Sequence, residues 1–292
     1  MSIKISIKNP YAVGTGTLYI VATPIGNLGD ISTRAIEMLK LVEVIAAEDT
    51  RHSQRLLSYL GISTHMQAYH EHNEEQQAGR LIARLLQGES VAIISDAGTP
   101  LVSDPGYRLV AQAHEQGIKV VPIPGSCAAI AAMSAAGLPS DHFCFEGFPP
   151  ARQAARLKYL QLLSEESRTM VFYISCHRVV ETLEDMKAVF GQQRPATFAR
   201  ELTKTYETIR KASLGELCAW VAEDEMQSKG EMVLVVSGSV KEKSVHPLLD
   251  EILQALVDEL PIKQAAKIAS KITGVNKNEL YEAAIKLKNK DD

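Results

Sequence analysis

Four short stretches carry residues suited to holding a small ligand, and each follows an apolar run: Thr23-Pro24-Ile25-Gly26-Asn27-Leu28-Gly29-Asp30, Glu48-Asp49-Thr50-Arg51, Ser95-Asp96-Ala97-Gly98-Thr99-Pro100 and Pro124-Gly125-Ser126. Glycine lets a backbone approach a ligand closely, while Asp and Thr add a carboxylate and a hydroxyl. Taken alone, Asp96 is explained about as well by an Asx-turn. Four such turns along one sheet edge favour a site, because loops and helix N-termini with free N–H groups converge at the carboxyl ends of parallel strands. Familiar nucleotide signatures are missing: Gly14 and Gly16 precede the first apolar run, Gly26 and Gly29 are wrongly spaced for GxGxxG, and no GxxxxGK[ST] occurs. That speaks against a dinucleotide fold or a phosphate loop. The third stretch continues through Ser103-Asp104-Pro105, which reads as structure: Ser103 or Asp104 caps a helix whose first residue is Pro105.

The elements that must position these turns are legible as alternating patterns. Strands are expected at 18–22, 44–47, 91–94 and 118–123, with helices through Ile31–Val42, at 75–87 and at 105–116. Strands apolar on both faces that alternate with helices predict a mainly parallel sheet covered on both sides. Pro122-Ile123-Pro124-Gly125 is a candidate hinge, followed by an Ala-rich segment at 126–136. Beyond it lie a strand at 143–146, a helix at 152–163, a strand at 169–174, a helix at 178–190, and strands near 196–200, 205–211 and 231–237. Consecutive strands without intervening helices predict a mixed sheet. Short amphipathic helices follow at about 247–259, 261–272 and 276–288. The expected organisation is a loose tail at 1–16, an α/β domain at 17–123, a second α/β domain at 124–240 and a small helical module at 245–292, which suits 292 residues.

Composition narrows the class. Hydrophobic residues are 46% and charged ones 23%, as in ordinary globular proteins. No apolar run reaches the ~20 residues of a membrane span, and the N-terminus has no secretory pattern, so a cytoplasmic protein is expected. Cys127, Cys144, Cys176 and Cys218 lack CxxC spacing and read as reduced core thiols. His70-Glu71-His72 has no second ligand cluster at matching spacing, so no metal is expected. A net charge of −4 argues against coating nucleic acid by bulk electrostatics, yet residues 261–290 hold seven lysines against Glu279 and Glu282. For any one of those lysines a solvated face is the simpler reading.

The runs LYIVATPIGNLGDIS, AAEDTRHS, SDAGTPLVSDPGYRLV, VPIPGSCAAI, SAAGLPSDHFCFEGFPP, ARELTKTYETI and KGEMVLVV closely resemble the bacterial 16S rRNA cytidine 2′-O-methyltransferases of the tetrapyrrole methylase superfamily. Order and spacing match as well, from about residue 17 to the C-terminus. The resemblance implies two α/β domains of the tetrapyrrole methylase type with S-adenosylmethionine in the cleft between them, a homodimer, and a C-terminal module of helix-turn-helix character. It implies the 16S rRNA of the small ribosomal subunit as substrate, at a cytidine ribose of the decoding centre. Pro24, Gly26, Asp96, Gly98, Thr99 and Ser126 fall on its cofactor-binding turns. One departure stands out: where the family reads F-Y-E-S-x-H-R, this chain has Ile174 in place of the glutamate. That puts any catalytic duty of the glutamate in doubt and points to a supporting position.

Methyl transfer to a ribose hydroxyl is an in-line displacement that needs donor carbon and acceptor oxygen about 3 Å apart. Base candidates are Glu146, Glu201, Lys204, and Glu48 or Asp49, with Glu201 and Lys204 favoured, although these two could equally form a strand-end ion pair. Cations for RNA phosphates are expected at Arg51, His177, Arg178 and Arg200, with Arg34, Arg55 and Lys204 near the same turns. Two other functions compete: methylation of a tetrapyrrole precursor, and a non-catalytic role in ribosome assembly. The first needs a wide cavity with arginines, and the second has no need of intact donor-site turns.

Overall fold

In strand β1 (Thr17–Val21) Leu18 and Tyr19 are both buried although they face opposite sides, as a strand covered on both faces requires. The structure, a computed structural model, describes residues 16–239 and 247–288, so the expected N-terminal tail lies, apart from Gly16, outside the described residues. β1 belongs to a parallel five-stranded sheet with β2 (Val44–Ala47), β3 (Met66–Ala68), β4 (Val91–Ile94) and β5 (Lys119–Ile123), ordered β3-β2-β4-β1-β5. Alternate residues supply two cores. Tyr19, Ile45, Ala92 and Ile94 pack with Ala35, Met38 and Leu39 of α1 (Thr33–Leu41) and Leu57 of α2 (Thr50–Tyr59). Leu18, Val44, Val91 and Ile93 pack with Leu81 and Leu85 of α3 (Glu74–Leu86) and Leu109 of α4 (Tyr107–Glu115). Pro122 sits in β5 at the sheet edge, where its missing N–H leaves no ladder bond broken.

Two elements of this sheet were not legible. α2 is mostly polar and buries only Ser53 and Leu57, and β3 is three residues long with none fully buried, so neither stands out as an apolar segment.

The chain then crosses to a second sheet of β6 (Phe143–Gly147), β7 (Thr169–Ile174), β8 (Pro195–Arg200), β9 (Thr208–Ser213) and β10 (Met232–Val236), ordered β6-β7-β10-β8-β9. Only the β6–β7 pair is parallel, so the sheet is mixed. One face packs on α6 (Gln153–Leu162), α7 (Val179–Phe190) and α8 (Leu214–Glu223), an uninterrupted helix the sequence reading lacked. The other face is covered by α5 (Ala128–Ala135), whose Ala129, Ala132 and Met133 join Val171, Val233 and Val235. Ile25, from the turn after β1, is buried in the same cluster, which ties the two sheets into one compact unit ending at Ser239.

The second unit begins at Val240. Within it α9 (Pro247–Glu259), α10 (Ile262–Thr273) and α11 (Lys277–Lys288) bury Leu249, Leu253, Val257, Ala265, Ala266, Ala269, Leu280 and Ala284. Gly274, at φ 73°, ends α10 in the left-handed conformation that favours glycine. Among the described residues no helix is long and apolar enough to cross a membrane.

Candidate active site

All four candidate turns lie at the carboxyl ends of the parallel strands, and hydrogen bonds tie the other three to the turn at 95–100. Thr23 and Gly98 exchange backbone bonds, N to O, of 2.9 and 3.1 Å. Thr99 Oγ1 donates to the Ser126 carbonyl at 2.9 Å. The Asp49 N–H donates to Asp96 Oδ1 at 3.0 Å. Asp49 is itself the N-cap of α2, accepting from the Arg51 and His52 amides.

Two adjoining cavities open here. The first, of about 270 Å³, is lined by Asp96, Gly98 and Thr99 together with Glu48, Asp104, Phe148, Tyr173 and Ile174. The second, of about 260 Å³, is lined by Pro24, Gly26, Asp96, His52 and Lys204. Ile25, Asp96, Ala97 and Glu231 border both. Gly98, at φ 89°, is buried, and a Cβ there would press on Ile25 Cγ2 at 3.3 Å. A side chain would be strained by the backbone before it met a ligand. Gly26 has no side chain because the stem of Lys204 crosses it, and a Cβ would collide with Lys204 Cγ.

The expectation that Ser103 or Asp104 caps α4 is corrected by the geometry. The N-cap is Gly106, at φ 132°, and the capping carboxylate is distant in sequence: Glu74 Oε1 accepts from the amides of Gly106 at 3.1 Å and Arg108 at 3.3 Å. Tyr69 donates its hydroxyl to the same oxygen. Pro105 precedes the helix. Leu101 and Ser103 both adopt positive φ, 72° and 68°, and Ser103 and Asp104 line the first cavity instead. The other non-glycine residues with positive φ among those described are Glu201 and Thr203, in the loop after β8. All four lie on loops bordering the two cavities, the setting in which stored backbone strain marks function.

Charge in the first cavity is acidic. Burial raises the Glu48 pKa, and the neighbouring Asp104 and Asp96 carboxylates raise it further. Asp104 is also raised, by burial and by Asp96, against a lowering hydrogen bond from Ser95. Glu201 is the opposite case. Burial works against its charge, but the Glu231 amide and Lys204 outweigh that and hold its pKa below the usual value. Lys204 Nζ lies 2.9 Å from Glu201 Oε1 and 3.0 Å from Glu231 Oε2, and these bonds overcome the effect of burial to raise its pKa. Glu201 and Lys204 are thus held charged as an ion pair, and only Lys204 reaches a cavity wall.

The remaining expected residues are spread out. Glu146 accepts from the Tyr159 hydroxyl at 2.5 Å and lines neither cavity. Arg51 is 93% exposed in its side chain, and His177 is exposed at the start of α7 beside the half-buried Arg178. Arg200, expected at RNA, is only 7% exposed; its guanidinium donates to the Lys229 and Tyr206 carbonyls, so it ties loops together. Ile174 is 3% exposed, pairs with Met232 across the sheet and gives the first cavity a hydrocarbon wall where the family pattern has a carboxylate. Tyr173 and Phe148 complete an aromatic side, their ring centroids 5.4 Å apart. Glu231, Phe148 and Tyr173 were missed as site residues because only the meeting of the two sheets brings them to the turns.

The family profile for Tetrapyrrole (Corrin/Porphyrin) Methylases matches residues 17–218, which hold the whole first sheet, strands β6 to β9 of the second and all four candidate turns. The chain belongs to the tetrapyrrole methylase family. A second profile, RsmI C-terminal HTH domain, matches residues 245–288. Among tetrapyrrole methylase relatives, the Ribosomal RNA small subunit methyltransferase I of Pseudomonas aeruginosa is 55% identical, over 95% of this chain and 100% of that protein. Its namesake from Escherichia coli O157:H7 is 54% identical over 92% of this chain and 95% of that one. Solved structures share the tetrapyrrole methylase fold at lower identity. The methyltransferase CobJ matches with TM-score 0.58 and 20% identity over 78% of this chain and 97% of its own. The uroporphyrin-III-C-methyltransferase of Thermus thermophilus matches with TM-score 0.55 and 21% identity over 76% and 94%.

Proposed function

We propose that this protein transfers a methyl group from S-adenosylmethionine to the 2′-hydroxyl of a cytidine ribose in 16S rRNA, at the decoding centre of the small ribosomal subunit. The observation that carries this reading is the acidic, partly apolar double cavity at the joined turns, in a chain that matches small-subunit rRNA methyltransferases along nearly its whole length. S-adenosylmethionine, when bound, supplies an electrophilic methyl group on a sulfonium centre. The residues present fit such a guest: an aromatic side at Phe148 and Tyr173, a glycine at 98 where a Cβ would crowd the site, and carboxylates for a molecule with two positive centres. Pro24, Gly26, Asp96, Gly98, Thr99 and Ser126 would hold it.

Among the base candidates, Glu48 suits proton abstraction better than the favoured pair. Tuning a base toward working pH means raising a carboxylate, and among the base candidates Glu48 is the one raised, by burial and by the Asp104, Asp96 and Asp49 carboxylates. Glu201 is lowered and already accepts two bonds, while Lys204 is kept protonated. Glu48 would thus accept the ribose proton as the methyl–oxygen bond forms and the methyl–sulfur bond breaks, leaving the donor as a neutral thioether, while Lys204 would stay a fixed cation at the second cavity and Arg51, His177 and Arg178 would meet phosphates outside. A tetrapyrrole precursor with many carboxylates is disfavoured by the same lining: the first cavity has Glu48, Asp96, Asp104 and Glu231 and no arginine or lysine.

The test is to incubate the purified chain and labelled methyl donor with small subunits, with naked 16S rRNA and with a porphyrin precursor. Label on a ribose oxygen is expected. Label on a porphyrin carbon overturns the substrate, and absence of donor binding overturns the enzyme.

A further inference from the structure

The three lysines of α10 occupy positions 263, 267 and 271, four residues apart, and all three are exposed. At 100° per residue they fall within one stripe of the helix, about 6 Å apart along its axis. Ala265, Ala266 and Ala269 occupy the opposite, buried face. The helix contains no acidic residue, and none of the three lysines makes an ion pair among the described residues. Stability of the helix does not explain this pattern. Like charges at i, i+4 repel, and Lys263 lies in the first turn, where the helix dipole disfavours a cation. The acids of the unit's helices are placed elsewhere, on α9 as Asp250, Glu251, Asp258 and Glu259 and on α11 as Glu279 and Glu282.

In a helix-turn-helix the second helix usually carries the contacts to nucleic acid. Here that helix is α11, where Glu279 and Glu282 are exposed among Lys277, Lys286 and Lys288 and offset much of their charge. α10 is the helix with uncompensated charge.

We propose that Lys263, Lys267 and Lys271 form a phosphate-binding ridge with which the C-terminal unit grips one strand of rRNA backbone, so that the helix preceding the turn, and not α11, is the main RNA contact of this module. The spacing lets successive lysines reach successive phosphates. Such contacts position a substrate without reading its sequence, and they make affinity depend on salt. This inference rests on the rRNA reading above.

The experiment compares wild type with the triple variant Lys263→Gln/Lys267→Gln/Lys271→Gln and with a charge-matched control, Lys277→Gln/Lys286→Gln/Lys288→Gln. Binding to small subunits and to naked 16S rRNA is followed between about 50 and 200 mM salt, with steady-state methylation alongside. The ridge triple is expected to raise KM about ten-fold or more with kcat unchanged, and to reduce the slope of log K against log salt by about 2 to 3, at ~0.7–0.9 per lost phosphate contact. The α11 triple should change both much less. Equal effects of the two triples, or none from the ridge triple, overturn the proposal. Weakened binding to subunits with unchanged binding to naked rRNA assigns the ridge to an acidic ribosomal protein and overturns it equally. Should wild type itself fail to bind or methylate either RNA, the rRNA reading falls first, a distinct outcome. Far-ultraviolet circular dichroism and melting of both triples exclude loss of the fold as a cause.

Discussion

Glu48 and Glu201 are both glutamates at the ends of strands, and their surroundings drive them apart. One faces Asp96 and Asp104 in a half-buried cavity, and the other is locked to Lys204 and an amide. Glu48→Gln is expected to lower kcat about 10²–10⁴-fold while donor binding, measured by calorimetry, persists. Because the Glu48 pKa is raised by burial and by the nearby carboxylates, the acid limb of kcat should begin above the ordinary carboxylate range. Asp104→Asn removes one like charge, lowers the Glu48 pKa and should move that limb to lower pH; an unmoved limb sinks the assignment. Gly98→Val forces a β-branched residue into φ 89° beside Ile25. Loss of measurable donor binding in a chain that remains folded is expected, and unchanged affinity in calorimetry counts against the role of Gly98.

At the scale of elements, the start of α4 shows how a distant side chain redirects a local motif. Ser-Asp-Pro is a good cap by type, but Glu74 reaches across from α3 to take the Gly106 and Arg108 amides. Asp104 is thereby left to line the cavity. Glu74→Ala should cost about 1 kcal/mol in chemical denaturation, the usual worth of a lost cap, and should weaken donor binding through the loop it anchors. A stability loss with no change in donor affinity would separate the cap from the site. The loop at 147–152 is held in a similar way. Buried Arg156 bonds Asp185 at 2.7 Å and the Pro150 and Ala151 carbonyls, which fixes the turn bearing Phe148. Helix α2 and strand β3 are hard to read from the sequence because α2 is mostly polar, burying only Ser53 and Leu57, and β3 is three residues long at the sheet edge.

For the whole molecule, the Glu166–Arg168 pair joins the end of α6 to the start of β7 and predicts an acid sensitivity. Arg168 donates side-chain and backbone bonds to Glu166, holding its pKa at about 2 against 4.5 for the free group. A depressed carboxylate stabilises the fold fully above its unfolded pKa and loses that contribution as pH falls through the folded one. Urea midpoints should therefore drop between about pH 4.5 and 2 in wild type, and more gently in Glu166→Gln. Parallel curves for the two proteins would assign the acid sensitivity to other groups.

Apart from α2, β3 and α8, the strands and helices, the parallel character of the first sheet and the mixed character of the second were written in apolar patterning, since burial on both faces demands it of nearby residues. The four turns were legible too, because Gly, Pro and Asp announce themselves locally. What those turns meet was not. The approach of Glu48 to Asp104, the bond from Lys204 to Glu231, the capping of α4 by Glu74 and the hydrocarbon wall that Ile174 forms beside Met232 all join residues far apart in the chain. Such contacts depend on how the two sheets pack, and only the folded chain brings those side chains within bonding distance.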